Sequence, residues 1–198
     1  FLHPDAVPEE VLSDGSALLA PELAALVADS WRLNEVIRDA IKFSLLRRDA
    51  KSKGLRMHRL LQAVVRDSID RAEQAKYAEQ AVRIIEHSFP EAKFVNWERC
   101  ERLSAHAQVC ATTIENYKLL QPYSSRLLHE IGYYLYQRGR YAEAAGFIDQ
   151  ALSMRQALYG TQHADYALTL DIQGQIFRAR GEFVAAEQKL DEAFRVLE

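Results

Sequence analysis

The chain has 198 residues, enough for one domain or two small ones with a true core. Its 28 acidic and 25 basic side chains leave a net charge of −3, which gives no electrostatic reason to expect nucleic acid or an anionic membrane as partner. Hydrophobic residues make up 48%, yet no apolar run approaches the ~20 needed to span a bilayer and no basic n-region precedes an apolar segment, so a soluble, helix-rich, cytoplasmic protein is expected.

Residues 1–72 do not repeat. Pro8-Glu9-Glu10-Val11-Leu12 opens a short helix with proline at its start and acids in its first turn. Pro21 begins a second, with Leu23, Leu26 and Val27 on one face. Ser30 is placed to cap a third, in which Leu33, Val36, Ile37, Ala40 and Ile41 follow helical spacing. The period then changes. Ser44 to Arg48 reads as a strand, Asp49 to Lys53 as a polar turn, and Gly54 to His58 as a returning strand. A helix follows at once, striped by Leu60, Leu61, Val64, Val65 and Ile69. Helices followed by a two-stranded wing describe a winged helix.

Such a unit can bind DNA through its third helix. Here that helix carries Arg32, Glu35, Arg38, Asp39 and Lys42, a mixture that repels phosphate about as often as it attracts it. The wing is basic, with Arg47, Arg48, Lys51, Lys53, Arg56 and Arg59 against Asp49, but residues 1–72 as a whole hold eleven acids and eleven bases. A wing that is solvated, or docked on another domain, is the better reading.

Residues 73–120 form a linking helical hairpin. Ala78, Ala81, Val82, Ile85 and Phe89 stripe one helix, which Pro90 ends. Trp97, Cys100, Leu103, Ala107, Ala111 and Ile114 stripe a longer one. Cys100 and Cys110 point in different directions from that helix, which argues against a mutual disulfide or a zinc site and fits a reducing compartment. Ser124 and Ser125 are placed to cap the helix after the next connector.

Residues 121–198 carry a repeat. Gly132 pairs with Gly174, Gly139 with Gly181, Tyr141 with Phe183, Ala144 with Ala186, Ile148 with Leu190 and Ala151 with Ala193, always 42 residues apart. Gly132 and Ala144 belong mid-helix on facing helices, where a longer side chain would hold the backbones apart. Gly139 supplies the turn between them. A coiled coil or plain bundle would explain the apolar spacing but not the paired glycines. This stretch resembles the tetratricopeptide repeat (TPR), and its long period with the Leu158-Tyr159-Gly160-Thr161-Gln162-His163 connector is most similar to the kinesin-light-chain type. The resemblance implies a mainly α chain: a winged helix, then an α-solenoid of TPR hairpins over a TPR-like cap. Arrays end on a polar cap and none is visible, and the chain opens on Phe1, so a segment of a longer protein is expected.

A second resemblance rests on Met57-His58-Arg59-Leu60-Leu61-Gln62. A histidine ending a strand, with a helix directly behind it, is similar to the Met-His-Asp motif of NB-ARC (STAND) signalling ATPases. Phe43-Ser44-Leu45-Leu46 and Val64-Val65-Arg66-Asp67 agree with bacterial members of that group. The resemblance implies that His58 contacts ADP phosphate held by an upstream nucleotide-binding domain of the same chain, latching an off state. Arg59 stands where the motif has Asp, so that residue's role does not carry over. The plainer alternative for His58 is a structural histidine at a strand end.

No G-x-x-x-x-G-K-[ST] loop, paired carboxylates, nucleophile elbow or Cys/His dyad is present in the sequence, and the remaining histidines lack metal spacing. The chain itself is therefore expected to be no enzyme and to hold no cofactor or metal, with ADP or ATP bound in the parent. Two functions follow: the regulatory and sensor segment of a STAND ATPase, its TPR array awaiting a protein or peptide trigger, or a transcriptional regulator with a DNA-binding winged helix. In TPR arrays the first helix of each pair lines the concave face. By register this puts Arg126, His129, Tyr133, Tyr136 and Gln137 inside the first repeat and Asp171, Gln175 and Arg178 inside the second. Tyr133 and Tyr136, three apart and off the packing positions, read as interface anchors; the alternative is a merely solvated face.

Overall fold

In a computed structural model of the chain, residues 1–5, 7–49 and 53–197 are described. The chain is mainly helical. Ten α-helices occur among those residues: α1 Glu9–Asp14, α2 Pro21–Ala28, α3 Ser30–Lys42, α4 Arg59–Asp67, α5 Arg71–Ser88, α6 Trp97–Tyr117, α7 Pro122–Gln137, α8 Tyr141–Tyr159, α9 Ala164–Ala179 and α10 Phe183–Leu197. Three short strands, β1 Val7–Pro8, β2 Leu46–Asp49 and β3 Gly54–Met57, make one antiparallel sheet in the order β1-β3-β2.

The sheet differs from the expected two-stranded wing. Val7 and Pro8 pair with Leu55 and Gly54, so the chain entering α1 adds a third strand. Proline is tolerated there because β1 lies at an edge, where no ladder donor is needed. In the hairpin proper, Leu46 faces Met57 and Arg47 faces Arg56. The turn expected over Asp49 to Lys53, with Lys51, falls on residues 50–52, outside the described residues. Asp29 rather than Ser30 caps α3, its carboxylate accepting from the N–H groups of Trp31 and Arg32 at 3.1 Å. Asp precedes the first helical residue, and Ser30 is already inside the helix. Likewise α7 starts at Pro122, with Ser124 and Ser125 buried inside it rather than capping.

The apolar stripe of α4 faces outward. Leu60 is 70% exposed and Val64 64%, while Trp31 and Phe43 from around α3 are also open. By contrast α5 and α6 bury theirs. Val82, Ile85, Phe89, Cys100, Leu103, Ala107 and Cys110 form one core with Leu127, Leu128, Ile131 and Ile148 of the first repeat. The hairpin therefore covers the face that α7 turns away from α9. Both thiols are free and buried, and burial pushes Cys100 up to about 11 and Cys110 to about 12.

The repeat is geometric as well as sequential. Helices α7 and α9 begin and end 42 residues apart, and α8 and α10 begin 42 apart. In each pair the turn is closed by the same bond, Arg140 N–H to the Leu135 carbonyl and Glu182 N–H to the Phe177 carbonyl, both 2.9 Å. Gly139 and Gly181 take φ of +75° and +81° to allow it. At Gly132 an added Cβ would stand 2.8 Å from Ile148, and at Gly174 2.8 Å from Leu190, so each pair of helices touches at glycine.

That contact sets a test with opposite signs on neighbouring helices. Ile148 is fully buried and cannot retreat, so Gly132→Ala should destabilise by about 1–3 kcal/mol. Gly146, in mid-α8 with nothing near it, should gain about 0.5–1 kcal/mol as Ala, which loses less entropy on folding. Urea midpoints for the two variants measure both; equal signs would contradict the assigned contact.

Candidate functional site

Two places gather the residues singled out by sequence. The first lies where β3 meets α4. His58 is in extended conformation (φ −62°, ψ 134°), caps α4, and accepts the Leu60 N–H on Nδ1 at 3.2 Å. Because Nδ1 is the acceptor, the ring proton of neutral His58 is assigned to Nε2. His58 is exposed and lines a cavity of about 520 Å³ with Asp5, Leu45, Arg47, Arg56 and Met57.

Arg47 and Arg56, directly opposed across β2 and β3, are both exposed. Like charges facing each other on a sheet repel, so this pair lacks a purely structural reason. Arg48 has one: its guanidinium grips the Glu9 carboxylate in two bonds of 2.6 Å and donates to Asn34 at 2.8 Å. Arg59 lies 3.9 Å from Asp5, both well exposed.

The second place is the face of α7 and α9. Its residues do not simply stand in solvent. The Arg126 guanidinium donates to the Glu86 carboxylate at 2.7 Å and to the Glu86 carbonyl at 3.0 Å, clamping the end of α5. Gln137 accepts the Trp97 indole N–H at 2.8 Å. His129, Tyr133 and Tyr136 stack in sequence, with centroids 6.3 Å apart at each step. The Tyr136 hydroxyl donates to Gln175 across the repeats at 3.1 Å, and Gln175 donates to Asp171 at 2.6 Å. Arg178 is exposed. Tyr133 and Tyr136 are half-buried and pack against the core, so the premise that they lie off the packing positions fails; tight stacking of α7 on its neighbours draws their rings inward.

Around His129 the face is polar beneath the surface. The Thr169 hydroxyl lies 3.2 Å from its Nδ1. Thr169 also receives a 2.6 Å bond from Arg155 on α8, whose side chain is only 5% exposed. Burial first, then the Arg155 and Arg126 charges, push His129 down to about 3 and keep it neutral. Burial pushes Glu130 up, although its carboxylate accepts the Ala92 N–H at 3.0 Å.

The sequence pattern did not single out Glu130, Arg155 and Thr169 here, and it marked Arg47 and Arg56 as basic wing residues without joining them to His58. The repeat register held a signal. Arg126, Glu130 and Arg155 stand 42 residues before Leu168, Ile172 and Leu197, charged positions matched to apolar ones.

Residues 123–198 match a family model described as tetratricopeptide repeat, which makes this part of the chain a TPR region. Residues 1–74 match one described as a domain of unknown function (DUF7779). A nucleotide-binding leucine-rich repeat (NLR)-like protein of Hyaloscypha variabilis is 32% identical over 110 residues, 55% of this chain. That stretch spans only 11% of the relative's length. Among the described residues no helix is long and apolar enough to cross a membrane, and no group of His, Cys, Asp and Glu is placed to hold a metal.

The neutral His129 makes stability depend on pH. Its folded pKa lies below the unfolded value of about 6.5, so the unfolded state binds the extra proton. The contribution is complete above pH 6.5 and is lost as pH falls from there towards 3. Between pH 7 and 5 the wild type should lose roughly 2 kcal/mol that His129→Gln retains. Parallel denaturant curves for the two proteins across that range would show no divergence if His129 titrates normally.

Proposed function

We propose that the chain is the non-catalytic regulatory and sensing segment of a STAND-type, NB-ARC-like signalling ATPase. Residues 1–72 act as a winged-helix latch on an upstream nucleotide-binding domain, and the TPR region receives a protein or peptide trigger. The observation that carries this reading is the mouth at His58. His58 shares this cavity with two arginines opposed across the hairpin, a set of donors that suits a nucleotide phosphate. The name of the Hyaloscypha relative, nucleotide-binding and NLR-like, agrees with a partner domain that holds nucleotide.

The outward apolar stripe of α4 supports the same reading, since Leu60, Val64 and Val65 gain from being covered by a neighbouring domain. ADP or ATP would be held by that domain, and this segment would do no chemistry. A DNA-binding role is less well served: Arg48 of the wing is already committed to Glu9 and Asn34. With peptide ligands on the first helices of each pair, the trigger would lie across α7 and α9.

The latch test must spare the cap. His58→Ala would also cost α4 its N-cap, whereas His58→Asn retains a capping acceptor and withdraws the reach to phosphate. In the full-length protein His58→Asn should speed ADP release at least tenfold, the equivalent of a charge-assisted hydrogen bond of about 1.5–3 kcal/mol. Stopped-flow release of a fluorescent ADP measures it, and an unchanged rate would leave His58 a cap and nothing more.

The TPR face has its own test. Arg178 is exposed on α9, so Arg178→Glu should leave the melting temperature within a degree or so of wild type. It should nonetheless weaken the response of the full-length protein to its trigger about tenfold or more, as loss of an interface arginine does. An unaltered dose–response would remove α9 from the interface.

A further inference from the structure

The corner where α4 passes into α5 carries two exposed arginines that the fold leaves unmatched. Arg66 stands in the last turn of α4, where a cation suits the negative end of the helix. Its guanidinium carbon lies 5.4 Å from the centre of the Phe1 ring. Arg71 is the first residue of α5, at the positive end of that helix, where a cation is disfavoured. Neither guanidinium takes part in an ion pair among the described residues. Helix stability therefore accounts for Arg66 but not for Arg71.

Both arginines line one cavity of about 660 Å³, bounded by Phe1 and Leu2, the α4–α5 corner and one face of α6. Gln74 fixes that corner. Its amide donates to the Arg66 and Ile69 carbonyls at 3.0 and 3.1 Å, and its oxygen accepts the Tyr117 hydroxyl of α6 at 3.1 Å. Among the described residues no carboxylate lines this cavity. Burial and then the Arg66 charge lower the Phe1 amine from its ordinary value, as expected where positive charge already prevails. Thr112 and Asn116, exposed one turn apart on α6, add a hydroxyl and an amide whose side chains are not hydrogen-bonded among the described residues.

We propose that this cavity binds a small hydroxylated phosphomonoester, a sugar phosphate in chemical class, with Arg66 and Arg71 as counter-charges to its phosphate. Two unmatched guanidinium groups with no carboxylate beside them on the lining suit a dianion. A phosphomonoester carries about two charges at neutral pH, and a single carboxylate carries one. Guanidinium groups also meet phosphate oxygens with paired N–H donors. Thr112 and Asn116 are available to the hydroxyls of the carbon skeleton, and the volume lies within the range of small-molecule sites. The site is separate from the His58 mouth, and it stands or falls independently of the latch and of the TPR face.

Backbone amide shifts of the ¹⁵N-labelled chain locate the binding. The chain is titrated at low salt with inorganic phosphate, ribose 5-phosphate, acetate and an N-acetylated phosphoserine peptide amide. Saturable shifts are expected at Arg71, Thr112 and Asn116 with inorganic phosphate, and at least as tightly with ribose 5-phosphate. Both should act at concentrations about tenfold or more below any effect of acetate. Events at the His58 mouth are read separately, at the His58 amide.

Arg71→Gln should melt at an equal or higher temperature, since a cation leaves the positive end of α5, yet bind ribose 5-phosphate about tenfold or more weakly. Arg66→Gln should weaken binding to a similar extent. Acetylation of the Phe1 amine should change binding little, which separates the arginines from the chain's own terminal charge. The wild-type titration stands even if a variant fails to fold. No saturable shift at these amides, acetate bound as well as phosphate, unweakened binding in both arginine variants, or binding lost on acetylation overturns the proposal. Tighter binding of the phosphopeptide than of ribose 5-phosphate overturns the assignment to a small molecule.

Discussion

The contact of α7 with α8 at Gly132 sets the geometry on which the rest of the array depends. With hydrogen in place of a side chain, the backbone of α7 comes down onto Ile148, and Gly174 repeats the approach on Leu190. Close approach puts Ala144 and Ala151 inside the interface, and both are fully buried. It also leaves no slack in the turn, which must reverse within a few residues; the positive φ of Gly139 and Gly181 is the solution in both repeats. A wider spacing would lift α7 from α8 and shift the ring stack of His129, Tyr133 and Tyr136 against Gln175 on α9.

Against that apolar regularity, the polar group in the first repeat is an added cost. Burying a guanidinium without a carboxylate, a carboxylate with one backbone N–H, and a neutral histidine between two arginines each disfavours folding. Some of the cost is recovered locally. Arg126 reaches the Glu86 and Phe89 carbonyls at the end of α5, satisfying acceptors that a helix terminus leaves open while placing positive charge at the negative end of the helix dipole. Arg155 likewise ties α8 to α9, donating to the Asp165 carbonyl at 2.7 Å and to the Thr169 hydroxyl at 2.6 Å.

The repeat was legible in the sequence because it rests on residue types that only one geometry requires. Paired glycines at a fixed offset specify both the close approach and the turn, and the helix boundaries follow at the same spacing. The α5–α6 stripes were legible for the ordinary reason of helical period and burial. The sheet was half legible: β2 and β3 alternate enough to be seen, but β1 is two residues long and ends in proline, so neither period nor propensity marks it. On α7, the expectation that Tyr133 and Tyr136 lie off the packing positions missed their burial. Whether Tyr133 and Tyr136 are covered depends on how far the rings lean onto neighbouring helices, which periodicity does not encode. The buried partners of His129 were hidden for a related reason: Thr169 and Arg155 sit 40 and 26 positions away, on two other helices. Only the comparison of one repeat with the other could have exposed them, through charge standing where its counterpart is apolar.

One helix joins the two candidate sites, and the strengths of its two attachments differ. Towards the sheet, α5 meets α1 through Val11 and through Gly15, where an added Cβ would lie 2.9 Å from Ile84; Gln80 donates to the Leu18 carbonyl at 2.9 Å. The remaining ties of α1 are the Arg99–Asp14 and Arg102–Glu10 pairs, each about two-fifths exposed. Exposed pairs of that kind contribute about 0–1 kcal/mol each and weaken with salt. Towards the repeats, α5 is held by a continuous apolar core and by the Arg126 clamp. Contiguity of packing is not by itself coupling. What the asymmetry does establish is where such a chain would yield first. Separating α1 from α5 exposes Val11 and Ile84 and breaks the Gln80 bond, whereas separating α5 from α7 opens the main core. The seam between α1 and α5 is therefore the weaker of the two attachments of α5.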